Sequence, residues 1–84
     1  MNHHTSPDFW AAYRELPAAI QQTADAAFAL LNANPRHPSL HFKKVRNFWS
    51  ARVGLGHRAV AVESRDGLVW FWIGTHAEYD KLVG

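Results

Sequence analysis

At Pro38 the spacing of apolar residues changes from a helical period to an alternating one, and that switch restricts the fold more than any other feature of the chain. Before it, Ile20, Ala24, Ala27, Phe28 and Leu31 recur at i, i+4, i+7, i+8 and i+11, one apolar stripe of a helix, with Gln21, Gln22, Thr23 and Asp25 on the wet side. Further upstream, Ser6-Pro7-Asp8 reads as a helix start: a capping hydroxyl, proline at the first helical position, and an acid at the positive end of the dipole. Phe9, Tyr13 and Leu16 follow at helical spacing with Trp10 beside them, Pro17 opens a second helix, and Asn32-Ala33-Asn34-Pro35 closes it. These helices form a hairpin whose aromatic residues are expected in the core.

After Pro38, which is expected to keep the chain extended, four strand candidates follow at residues 40–46, 49–53, 58–63 and 68–73. Asn47 marks the first turn, and Gly54-Leu55-Gly56 and Asp66-Gly67 have hairpin chemistry. Thr75 and Glu78 are spaced T-x-x-E, a capping box that starts a short terminal helix after the last strand. The class is therefore α+β: an N-terminal helical hairpin packed on an antiparallel sheet of about four strands, with a short C-terminal helix. With 84 residues the chain reads as one domain, 1–84, around a single modest core.

Turn lengths set the facing residues. A three-residue loop with Gly56 left-handed puts Val53 opposite His57 and Arg52 opposite Arg58. A two-residue Asp66-Gly67 turn puts Trp72 opposite Ala61 and Phe71 opposite Val62. One face then holds Ala51, Val53, Ala59, Ala61, Trp70 and Trp72, suited to lie beneath the helices; the other holds Ser50, Arg52, Arg58, Val60, Val62 and Phe71. Two arginines meeting across a hairpin repel, so a sequence that keeps them has an anion to place there.

Charge is segregated. The net charge is only +2, yet no carboxylate occurs between Asp25 and Glu63, a span that carries Arg36, Lys43, Lys44, Arg46, Arg52 and Arg58, six of the nine Lys and Arg residues. Such a segment suits a phosphate backbone or an acidic protein. A basic edge that keeps strands from pairing is the structural alternative. Cysteine is absent, which excludes disulfides and thiolate zinc sites. His3, His4, His37, His41 and His76 lack cysteine partners and any H-E-x-x-H spacing, so no metal or other cofactor is expected. No apolar run reaches the roughly 20 residues of a membrane helix, and MNHHTSPDFW has no secretory pattern; a cytoplasmic protein with no membrane partner is expected.

The C-terminal WFWIGTHAEYDKL brings chemistry to the end of a buried strand. His76 and Tyr79 are three residues apart in the first helical turn, beside backbone N–H groups that suit a phosphate. Tyr79, Leu82 and Val83 would equally dock the helix on the sheet, with His76 hydrated.

The run NPRHPSLHFKKVRNFWSARVGLGHRAVAV, followed by WFWIGTHAEYDKL, resembles the RelE/ParE superfamily of bacterial type II toxins, from Phe9 to Leu82. The resemblance rests on the segment from Leu40 to Val45, the W-S-x-R-V strand, the G-H-R-A-V strand and G-T-H-x-x-Y-D. It implies a cytotoxin held inactive by a cognate antitoxin. RelE-like members cleave mRNA on the ribosome, whereas ParE-like members inhibit DNA gyrase. It also implies a basic sheet face as the RNA site, with Arg58 at the position of a strand arginine on the scissile phosphate. Arg52 falls at a basic strand position, and His76 and Tyr79 in the region that supplies a C-terminal acid or base. Two positions depart from the pattern: residues 1–5 offer only a stub of the usual first strand, and Ser50 stands where a lysine is common.

Metal-free RNA cleavage by the ribose 2′-OH needs a base, cations for the charge building on phosphorus, and an acid for the departing 5′ oxygen. Histidine titrates near neutrality, making His76 the expected proton-transfer group, with Arg52 and Arg58 stabilising charge. Tyr79 is expected to orient the phosphate or stack on a base, and Lys43, Lys44 and Arg46 to grip flanking phosphates. The alternative is a protein that only binds, a gyrase inhibitor or a degenerate toxin-like module, with Trp10, Tyr13 and the helical hairpin as its interface. Convergence of His76, Arg52 and Arg58 separates the two.

Overall fold

The computed structural model describes residues 2–84. The elements run β1 (Asn2–Thr5), α1 (Pro7–Arg14), α2 (Ala18–Ala33), a 3-10 turn at Pro38–Leu40, β2 (Lys43–Val45), β3 (Phe48–Val53), β4 (His57–Ser64), β5 (Gly67–Thr75) and α3 (His76–Val83). Five strands form one sheet in the order β1-β5-β4-β3-β2. The expected meander is β2 to β5, antiparallel throughout, and β1 adds a parallel strand beside β5.

The expected stub is thus a four-residue strand with Asn2 opposite Gly67 and Thr5 opposite Trp70; Met1 lies outside the described residues. Close approach of its backbone explains Gly67, where a Cβ would sit 2.1 Å from the Asn2 carbonyl oxygen. Trp70 Nε1 donates to His3 Nδ1 at 3.0 Å, tying the strand down. Sequence periodicity could not reveal this strand, because only alternate residues of its four are even half-buried.

Helix starts follow the sequence closely. Ser6 Oγ accepts from the Phe9 N–H at the head of α1, and Thr75 and Glu78 form the full capping box of α3. Pro38, by contrast, begins a turn of 3-10 helix instead of extended chain, and the first strand shrinks to Lys43–Val45. The restriction falls on the residue before proline: His37 is extended, while proline's own fixed φ suits a helical first position.

Two turns also differ from expectation. Gly54, not Gly56, carries the positive φ (61°) in the β3–β4 loop, although Val53 still faces His57 and Arg52 faces Arg58. The β4–β5 turn is Arg65-Asp66, with Gly67 already paired to Ser64. Val60 then faces Trp72 while Ala61 faces Trp70, so Phe71 is the extra residue of a β-bulge. The bulge flips the strand: Trp70 lies under the helical hairpin, and Trp72 moves to the opposite face, not the helix-facing one that strict alternation assigns it.

Both faces are consequently covered. Ala24 and Leu31 of α2 pack with Leu40, Ala51, Val53, Ala59, Ala61, Leu68, Trp70 and Ile73, joined by Phe9, Tyr13 and Leu16. On the other face α3 lays Tyr79 and Val83 against Val60, with Phe48, Phe71 and Trp72 alongside. This second cluster is small and leaves the β3–β4 end of the sheet face beside it for polar side chains.

Candidate nucleic-acid interface

Arg58 occupies that open end and is only 5% exposed. Its Nε donates to Ser50 Oγ at 3.0 Å and its Nη2 to the same oxygen, while Nη2 also reaches the His41 carbonyl at 3.3 Å. The Tyr79 ring covers the guanidinium, with Cζ 4.9 Å from the ring centroid. Ser50 is fully buried (0% exposed) two residues from Arg52 on β3, diagonally across from Arg58. No carboxylate lies within ion-pairing distance of Arg58 among the described residues. A buried cation normally has a counter-charge; this one has a hydroxyl, a carbonyl and an aromatic face.

The repulsion expected of the Arg52–Arg58 pair is relieved by splaying. Arg52 turns outward, its Nε donating to the Gly54 carbonyl at 3.0 Å and its Nη1 lying 3.3 Å from His41 Nε2. His41 therefore touches both arginines, one through its ring and one through its carbonyl, from a left-handed conformation (φ 43°, ψ 43°) that ends the 3-10 turn.

His76 stands at the first turn of α3, edge-on to Tyr79 with ring centroids 5.7 Å apart. Its Nδ1 is 3.3 Å from Asp80 Oδ2. Tyr79 is buried against Val60, the packing role expected of it, and its ring also covers Arg58. A run of contacts thus joins Arg52, His41, Arg58, Tyr79 and His76.

The helix N-terminus itself is occupied. The Thr75 N–H donates to Glu78 Oε1 at 2.9 Å, the Glu78 N–H to Thr75 Oγ1 at 3.2 Å, and the His76 N–H to the Gly56 carbonyl at 2.9 Å. Hydrogen bonds from Thr75, backbone first, hold the Glu78 carboxyl below its usual pKa. Three of the donors expected to seat a phosphate, those of Thr75, His76 and Glu78, are thus already engaged by the chain.

The three flanking cations are dispersed. Lys43 pairs with Ser50 and shares its face, exposed at the rim of the site. Lys44 points to the other face, 3.0 Å from Glu63, whose carboxyl is pushed below its usual pKa by the Trp49 indole N–H and then by Lys44. Arg46 is the left-handed first residue of the β2–β3 turn (φ 58°), and its Nη2 approaches the Gly84 carbonyl at 3.5 Å. Sequence reasoning missed Ser50 and His41 as site members. By sequence Ser50 stands where a lysine is common, and His41 is one histidine of the acid-free segment with no metal-ligand spacing. The Arg52–Arg58 pairing, which implies something nearby to separate the two, was the available signal.

A cavity of about 660 Å³ lies elsewhere, among His3, Phe9, Trp10, Tyr13 and Phe28 under the helical hairpin. Its polar groups are largely engaged with one another: Tyr13 Oη donates to Asp25 at 2.8 Å, which together with burial raises the phenol pKa. The arginines face away from it.

No protein-family model and no curated sequence matches the chain. Solved structures do. A chain of the RelB–RelE antitoxin–toxin complex from Methanococcus jannaschii superposes with a TM-score of 0.71 at 15% identity, over 96% of this chain and 99% of that one. YafQ from Escherichia coli gives 0.68 at 15% identity, over 93% and 96%. A YoeB/ParE toxin from Agrobacterium tumefaciens gives 0.65 at 17% identity, over 90% and 99%. The chain has the RelE/ParE toxin fold.

Proposed function

We propose that this protein is the toxin of a type II toxin–antitoxin pair and cuts ribosome-bound mRNA in the cytoplasm without a metal. One observation carries the proposal: Arg58 is a buried cation with no carboxylate within ion-pairing distance among the described residues, beside Arg52 and across Tyr79 from His76. A phosphodiester supplies the missing charge. Arg58 and Arg52 stabilise the extra charge on phosphorus as the 2′ oxygen attacks, and they are already held in place before substrate arrives. His76 gives its proton to the departing 5′ oxygen, leaving a 2′,3′-cyclic phosphate and a 5′-hydroxyl. Tyr79 keeps the guanidinium plane fixed. Lys43 grips a flanking phosphate, with Lys44 and Arg46 at the β2 edge for more distant phosphates of mRNA or ribosomal RNA. The similarity to a chain of an antitoxin–toxin complex supports a cognate antitoxin as the protein partner.

The test is to express the protein alone, then His76→Ala and Arg58→Ala, while mapping mRNA ends and gyrase-linked DNA breaks. Growth arrest with new mRNA ends, absent in both variants, is the expected result. Arrest with intact transcripts and DNA breaks would assign the protein to gyrase inhibition.

A further inference from the structure

We infer that His41 is the base that takes the proton from the 2′-hydroxyl, opposite His76 as the acid; this rests on the nuclease reading above. Transesterification at phosphorus is in-line, so the entering 2′ oxygen and the leaving 5′ oxygen lie on opposite sides of the phosphorus. One imidazole cannot reach both in a single step. The two histidines reach Arg58 through different groups: His76 by way of the Tyr79 ring over the guanidinium, and His41 directly through its carbonyl on Nη2.

Three further observations single out His41. Its backbone is left-handed (φ 43°, ψ 43°), a conformation uncommon outside glycine and retained where surroundings enforce it. The enforcing surroundings are visible: Pro38 starts the turn, His37 Nδ1 accepts from the Ser39 N–H at 3.2 Å, and Leu40 is anchored in the core. The ring nevertheless remains at the exposed rim, open to a substrate. Finally, Arg52 has only donors, so His41 Nε2 is the acceptor in their 3.3 Å contact and its lone pair is directed at Arg52. A phosphate that draws Arg52 to itself frees that lone pair for the 2′-hydroxyl. The charged groups against His41 are Arg52 from β3 and Arg58 from β4, with no carboxylate within ion-pairing distance among the described residues. The proton balance closes: His41 Nε2 gains the 2′ proton as O2′–P forms, P–O5′ breaks, and His76 protonates O5′.

The experiment measures single-turnover cleavage of mRNA on purified translating ribosomes by the wild type, His41→Gly, His41→Gln and Arg58→Met across pH. Glycine suits the left-handed backbone, so His41→Gly should fold at least as well as the wild type. Glutamine keeps an acceptor for Arg52 but cannot titrate. Both should cut at least ~100-fold more slowly and lose the rise of rate with pH that reports the base. Free imidazole should restore cleavage to His41→Gly and not to Arg58→Met. Wild-type rates in both His41 variants, or slow cleavage with the pH profile retained and no imidazole rescue, would overturn the inference while leaving the nuclease reading intact. No cleavage by the wild type would overturn both.

Discussion

Replacing Ser50 and Arg58, singly and together, tests whether the guanidinium is kept for an anion or for stability. Ser50→Ala removes the oxygen that accepts from both Nε and Nη2 of Arg58, leaving the buried cation only the His41 carbonyl and the Tyr79 face. Hydrogen bonds to charged groups contribute roughly 1.5–3 kcal/mol, so a loss of about 2 kcal/mol is expected. For a domain of this size, at roughly 4–8 °C per kcal/mol, the Tm falls by roughly 8–16 °C. Adding Arg58→Met removes the charge and both unsatisfied donors and fills the space beneath Tyr79 with an unbranched apolar chain. Replacing both partners of a buried polar pair is often neutral or stabilising, so the double variant should return to within about 1 kcal/mol of the wild type. Urea unfolding followed by tryptophan fluorescence reads all three variants. A double variant less stable than the sum of the two single losses would show that Arg58 anchors the fold, and the uncompensated-charge reasoning would be refuted.

Other consequences are separable. Gly67→Ala forces a Cβ onto the Asn2 carbonyl and should cost more than about 1 kcal/mol, with faster hydrogen exchange at the Ser6 N–H, which donates to Trp70 O. His3, partly buried and accepting from Trp70 Nε1, has its pKa lowered from 6.5, chiefly by desolvation. Its neutral form is the folded one, so its stabilising contribution is complete above pH 6.5 and is lost as pH falls through the depressed folded value. A thermal melt series from pH 8 to 5 should show that acid loss, and His3→Phe should flatten it. Thr75→Ala removes the α3 cap and should cost about 1 kcal/mol by chemical unfolding. Because α3 carries Tyr79 over Arg58, cleavage should fall with it.

Helix starts were legible because caps are local: Ser6-Pro7 and Thr75-x-x-Glu78 depend on neighbours in sequence. The Arg52–Arg58 pairing was legible because a three-residue loop fixes the register, whichever glycine is left-handed. The face of Trp72 was not, since a bulge at Phe71 depends on satisfying two cores at once. β1 was hidden for a similar reason, its pairing with β5 being nearly as long-range as the chain allows. At the site, charge and side-chain chemistry pointed to Arg52, Arg58, His76 and Tyr79, and the structure joins them in one run of contacts. What links the two arginines, the ring and carbonyl of His41, depends on tertiary placement that no local pattern encodes.

The most direct measurement is the chemistry of mRNA ends on translating ribosomes incubated with the wild type and with the Ser50→Ala/Arg58→Met double variant, whose fold the unfolding experiment certifies. New 2′,3′-cyclic phosphate and 5′-hydroxyl ends with the wild type, and none with the double variant, are predicted. Equal cleavage by the double variant, or intact mRNA with the wild type, would contradict a phosphate bound at Arg58.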